Sequence, residues 1–296
     1  MSNLITYEKG KSQISLLGLD MKIWVKFGLV VILCSFFSCQ ITESEPEIMN
    51  EFTENPIWED NFDTDGLPDA SRWDYQVGGT GWGNNELQYY TKADIDNVRV
   101  NGGVLTIEAR KERLFGKNYT SARLVTHDKF NFLYGRVVVR AKLPAGRGTW
   151  PAIWMLSSEN KYDPTNIPNN GEIDMMEHVG YDPGQVHSVI HRYNSNKGIV
   201  PYPESITQVP DFNTAFHEYR MDWTPDYIKT FLDGKETLSF KNSGKGWQDW
   251  PFDQKMYLLL NIAVGGSWGG LKGVDDTVFP AKMEVDYVRI YAYKQQ

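Results

Sequence analysis

Beyond Trp58 the chain alternates apolar and polar positions in short runs. They occupy residues 103–110 (GVLTIEAR), 134–143 (YGRVVVRAKL), 149–156, 172–179, 187–192, 218–223, 227–232, 256–263 and 283–293. A period of two puts successive side chains on opposite faces of a strand. Val, Ile, Tyr, Phe and Trp fill most of these runs, and Gly, Pro, Asn or Asp bound them. Asp233-Gly234, between YIKTFL and KETLSF, reads as the two-residue turn of a β-hairpin. Long helical periodicity is nearly absent. The pattern predicts an all-β chain, a β-sandwich or a barrel, and a concave jelly roll would suit a cleft. No internal repeat, low-complexity tract or second linker interrupts it, so residues 57–296 are expected to form one domain.

The first part of the chain reads differently. From Met21 the sequence MKIWVKFGLVVILCSFFSCQ has two lysines, then an almost wholly apolar stretch of about 12 residues, too short to span a bilayer and right for a secretory signal. Ser38 before Cys39 resembles the cleavage box of a bacterial lipoprotein signal, in which the cysteine becomes the lipidated first residue. Residues 1–20 have no signal character, so translation is expected to begin at Met21, with 21–38 as the signal. The acidic, Pro-containing run 39–56 is expected to be a flexible tether. Acidic residues after the cysteine resemble those of lipoproteins exported to the cell surface. The expected location is therefore the outer membrane or surface of a bacterium, with simple secretion as the alternative. Cys34 and Cys39 are the only cysteines, so the processed chain has no disulfide.

Composition narrows the partner. A net charge of −8 argues against nucleic acid or another polyanion and permits a neutral polymer. Ten Trp and 16 Tyr suit either an aromatic core or flat apolar faces offered to a ligand.

The candidate chemistry lies in GEIDMMEHV, residues 171–179. On a strand, Glu172 and Asp174 share a face, whereas strict alternation puts Met176 beside them and Glu177 in the opposite layer. A charge in a sandwich core is costly. One extra residue, a β-bulge between Asp174 and Glu177, returns Glu177 to the face of the other two. Three acids on one face raise each other's pKa, which is how a site separates a protonated carboxylic acid from an ionised carboxylate. Retaining glycosidases need such a pair about 5–5.5 Å apart. Same-face neighbours on a strand repeat at about 6.5–7 Å, so the bulge must also shorten the span of the outer pair. Spacing alone leaves a calcium site or a solvated acidic face open as the alternative.

GEIDMMEH resembles the ExDxxE strand of glycoside hydrolase family 16, in the six-residue form of its laminarinase branch. GWGNNELQYYT (81–91), LPAGRGTWPAIWML (143–156), FHEYRMDWTPDYI (216–228), LLNIAVGGSWGG (259–270) and MEVDYVRIY (283–291) resemble blocks of bacterial endo-β-1,3-glucanases, in the family order. Together they cover the chain from about Trp58 to Tyr291. The resemblance implies a concave β-sandwich jelly roll of the concanavalin A-like type, with antiparallel sheets. It also implies that Glu172 is the nucleophile, Glu177 the general acid/base and Asp174 the assisting acid, with hydrolysis by double displacement and retention.

For substrate, the resemblance implies Trp150, Trp154 and Trp268 as stacking surfaces, Met176 at the cleft wall, and Asn85, Glu86, Arg123, His191 and Asn261 as polar contacts. It further implies a structural Ca²⁺ on the side away from the chemistry, held by backbone carbonyls of Asn61 and Gly103 and the carboxylate of Asp286. Three oxygen ligands with water completing the shell suit a hard cation. The expected substrate is a neutral β-1,3-glucan of laminarin type, cut by a monomer without organic cofactor. Mixed-linkage glucan, agarose or carrageenan are the alternatives within the enzyme class. A non-catalytic glucan-binding protein on the same fold is the alternative outside it.

Overall fold

The alternating runs become strands of two sheets. In the first, β15 (Lys235–Lys241), β14 (Tyr227–Leu232), β13 (His217–Trp223), β8 (Gly135–Lys142), β17 (Ala281–Ala292), β5 (Val104–Ala109) and β4 (Val98–Asn101) lie in that order, and β1 (Trp58–Asp60) also pairs with β17. The second runs β12 (Val200–Gln208), β11 (Gln185–Arg192), β10 (Glu172–His178), β9 (Thr149–Ser157), β16 (Met256–Val264), β7 (Arg123–Val125) and β2 (Asp74–Tyr75). Strands β3 (Gln88–Tyr90) and β6 (Tyr119–Ser121) form a short parallel pair. These details come from a computed structural model that describes residues 51–165, 167–192 and 200–294. The expected leader, Cys39 and the start of the tether lie outside the described residues.

Alternation explains the layering. Val137, Val139, Tyr219, Met221, Val288 and Ile290 of the first sheet meet Ile153, Met155, Leu258, Leu260 and Ile262 of the second in one buried cluster. Their sequence neighbours face outward, so one face of the second sheet is free to carry a cleft. The hairpin expected at Asp233-Gly234 joins β14 and β15, with φ of 48° and 80°. Two left-handed residues give the turn a twist that matches the strands it connects.

The tether ends earlier than the sequence suggested. Residues 51–56 belong to the domain: Phe52 is buried and bridges Tyr293, and Thr53 N donates to the Ala292 carbonyl at 2.9 Å. A single buried aromatic anchors a segment whose composition is otherwise that of a linker.

Candidate active site

Asp174 of β10 faces Val189 of β11, and the next matched pair is Glu177 with His187. Between them Met175 and Met176 stand against the single Ser188, whose hydroxyl donates to the Met175 carbonyl at 2.8 Å. This is the bulge expected between Asp174 and Glu177. Two residues opposing one sit on the same side of the sheet. Both methionines enter the core, leaving Asp174 and Glu177 to line the cleft with Glu172. Burial contributes roughly 1.5–3 kcal/mol per methionine, and this holds the bulge in place. Met176 is therefore a correction: it is 0% exposed and packs in the core, where it cannot touch a ligand.

The cleft has a volume of about 530 Å³. Trp150 and Trp154, on one face of β9, both line it. Trp150 Nε1 donates to Glu177 Oε1 at 2.9 Å, and Trp154 Nε1 donates to Asn261 Oδ1 at 2.7 Å. Asn261 passes its own amide hydrogen to the Tyr90 hydroxyl at 3.0 Å. The Arg123 guanidinium lies between two indoles, 4.7 Å from the Trp82 ring and 4.6 Å from that of Trp154. Glu86 is buried and accepts from Gln88 Nε2 at 2.6 Å; burial pushes its carboxyl up, while Gln88 and Arg123 pull it back.

Trp268 does not line this cavity but stands edge-on to Trp150, ring centroids 5.3 Å apart. The glycines of GGSWGG permit that approach, since a Cβ at Gly269 would lie 2.8 Å from Trp150 Cβ. Asn85 takes a left-handed φ of 57° at the turn of its loop and is exposed, and its neighbour Asn84 lines the cleft. Sequence reasoning did not single out Gln76, Leu156 or Tyr257, all of which line the cleft. Tyr257 shares strand parity with Asn261, so alternation alone could have found it.

Burial and the Asp174 charge act together on both glutamates, and His191 opposes them. His191 Nε2 lies 2.9 Å from Asp174 Oδ2 and 3.9 Å from Glu172 Oε1. Burial would lower the imidazole, but the charge and hydrogen bond of Asp174 outweigh it and raise His191 to about 10. Burial, then the Asp174 charge, pushes Glu172 up to about 8, with His191 and Arg123 pulling back. The same two causes push Glu177 well above the ordinary glutamate range, against the pull of its Trp150 hydrogen bond.

One consequence is measurable. From the ordinary value of 4.5 up to about 8, the unfolded chain ionises Glu172 while the folded protein keeps the proton. Stability from this group is present below 4.5 and lost as pH rises through that window. Glu172→Gln removes the titration, so its Tm measured by calorimetry should gain on wild type as pH rises toward about 8. A difference that stays constant with pH would contradict the burial argument.

Two residue sets could hold a metal. Glu172, Asp174 and His191 offer ligand atoms within 4.8 Å of one another. The His191 nitrogen is already paired with Asp174 at 2.9 Å, so a cation there would have to displace that contact and release a proton. The second set is Asn61, Gly103 and Asp286. On β17, Val285 pairs with Leu105 of β5 and Val288 with Asp60 of β1, so the chain at Asn61 and at Gly103 converges beside Asp286. The Asn61 amide oxygen already accepts from Arg289 Nη2 at 3.0 Å, so a cation here would meet the backbone carbonyl of Asn61. Asp286 is paired with Arg140, a partner that a cation would have to displace or share. The donor set is all oxygen and fits a hard cation.

Known proteins match both sequence and fold. Residues 85–289 match the family described as glycosyl hydrolases family 16. A β-glucanase of Rhodothermus marinus is 52% identical over 242 residues, which is 80% of this chain and 85% of that protein. The X-ray structure of the laminarinase from Rhodothermus marinus superposes with a TM-score of 0.78 at 50% identity, covering 82% of this chain and 99% of that one. A non-specific endo-β-1,3(4)-glucanase gives a TM-score of 0.76 at 44% identity, covering 83% and 92%.

Proposed function

The chain belongs to glycoside hydrolase family 16, and from that premise we propose that it is an endo-acting, retaining β-glucanase of laminarinase type that cleaves β-1,3-glucosidic bonds. The observation that carries this reading is the bulge of β10, which lets one strand present Glu172, Asp174 and Glu177 to one cleft. Glu172 attacks the anomeric carbon as the ionised carboxylate, a form that gains population as pH approaches about 8, while Glu177 protonates the departing glycosidic oxygen. Glu177 then takes a proton from the water that opens the glucosyl ester of Glu172. Asp174, buried and paired with His191, supplies the charge that keeps the proton on Glu177 between turnovers.

The cleft wall favours a neutral glucan. Arg123 is the one Lys or Arg that lines it among the described residues, and its guanidinium is packed between Trp82 and Trp154. A sulfated galactan would call for more cations, and the indoles offer apolar faces for sugar rings. The test is release of reducing ends from laminarin, lichenan and agarose in parallel. Laminarin should be cut fastest, with internal fragments appearing early; preference for agarose would overturn the reading. Turnover of lichenan alongside laminarin would fit the match to a non-specific endo-β-1,3(4)-glucanase.

Two further parts of the proposal rest on the sequence. Cys39 carries a lipid that holds the enzyme at the outer membrane, so Cys39→Ser should move activity from the membrane fraction to the soluble one; unchanged retention would refute the anchor. Asn61, Gly103 and Asp286 hold a calcium ion that contributes to stability and takes no part in the chemistry.

A further inference from the structure

Beside the acid/base, four side chains close a ring, two of which, Trp150 and Glu177, line the cleft. Glu177 sits directly across the strand pair from His187. The His187 imidazole stands at 90° to Trp268, ring centroids 4.9 Å apart. Trp268 stands at 83° to Trp150, centroids 5.3 Å apart. Trp150 returns to Glu177 through its 2.9 Å hydrogen bond. Two polar contacts reach the ring from outside: His187 Nδ1 to Glu204 Oε1 of β12 at 2.8 Å, and a hydrogen bond between Trp268 and Tyr181. His187 is 7% exposed and, among the described residues, its Nε2 has no hydrogen-bond partner, so Glu204 gives the imidazole its one side-chain hydrogen bond there.

We propose that His187 and Glu204 are positioning residues for the general acid: they hold Trp268 against Trp150, and through Trp150 they aim the Glu177 carboxyl at the leaving oxygen. Neither residue lines the cleft, so neither is given a contact with substrate. The inference rests on the role of Glu177 in the β-glucanase reading, and it goes beyond that reading by assigning work to a strand edge outside the catalytic triplet. The chemistry explains why such a device matters. A sugar alkoxide leaves only with a proton delivered along the breaking bond, and displacement of a catalytic group by about 1 Å can cost about 100-fold. A dinitrophenolate leaves without a proton and makes no demand on the aim of Glu177.

That difference supplies the test. For wild type, His187→Ala and Glu204→Ala, kcat/KM is measured on laminaritetraose and on dinitrophenyl β-laminaribioside; this parameter covers formation of the glucosyl ester and not its hydrolysis. Thermal melts confirm that each variant folds, and Glu204, whose side chain is 46% exposed, provides a substitution at low cost to the core. On the oligosaccharide both variants should lose about 10-fold or more, and on the aryl glycoside less than about 3-fold. Equal losses on the two substrates, or no loss on either, would overturn the inference. A wild-type enzyme inert toward laminaritetraose would count against the β-1,3 reading instead, and the comparison would then use the oligosaccharide that it does cleave.

Discussion

Glu172→Gln is expected to reduce laminarin hydrolysis by roughly four orders of magnitude or more, the scale on which loss of a covalent nucleophile is felt. The amide is nearly isosteric with the carboxylate and cannot form the ester, so the first displacement stops while the fold persists. Retained structure follows from burial: desolvation opposes the charge of Glu172, and a neutral side chain relieves that opposition. The measurement is reducing-sugar release at matched concentrations of folded protein. Near-normal turnover would remove Glu172 from the role of nucleophile.

Glu177→Gln should cost about 10²- to 10⁴-fold, the range for a general acid/base. The amide oxygen can still accept from Trp150 Nε1, so the wall of the cleft should hold its shape. What disappears is the proton. In the wild type the alkaline limb of the kcat/KM profile reports loss of that proton, from a group that burial and Asp174 push well up. The variant should lack this limb and should hydrolyse a dinitrophenyl glycoside with little loss in kcat/KM. If the limb persisted unchanged in the variant, the titrating acid would be another group.

Much of this was legible in the sequence because a period of two is robust to context. The runs at 149–156 and 227–232 correspond to β9, Thr149–Ser157, and β14, Tyr227–Leu232. The cost of burying a carboxylate was enough to require a bulge near Met175 and Met176. Alternation could not say which way both methionines turn, and this is why Met176 was expected in the cleft while it packs in the core. At Asn84 and Asn85 the polypeptide is in a turn rather than a strand, so sequence parity no longer reports direction. Phe52 looked like one aromatic among linker residues, because its partner Tyr293 lies at the far end of the domain. The contact of His187 with Glu204 is a diagonal across β11 and β12, and no local spacing announces it.

Double displacement on a β-1,3-glucan is the central claim, and the anomeric form of the first product tests it most directly. Laminaritetraose hydrolysis followed by proton NMR within the first minutes, before mutarotation, should show new reducing ends in the β form, with the α form rising only later. Initial appearance of the α form would mean inversion by a single displacement, and Glu172 would then not be the nucleophile.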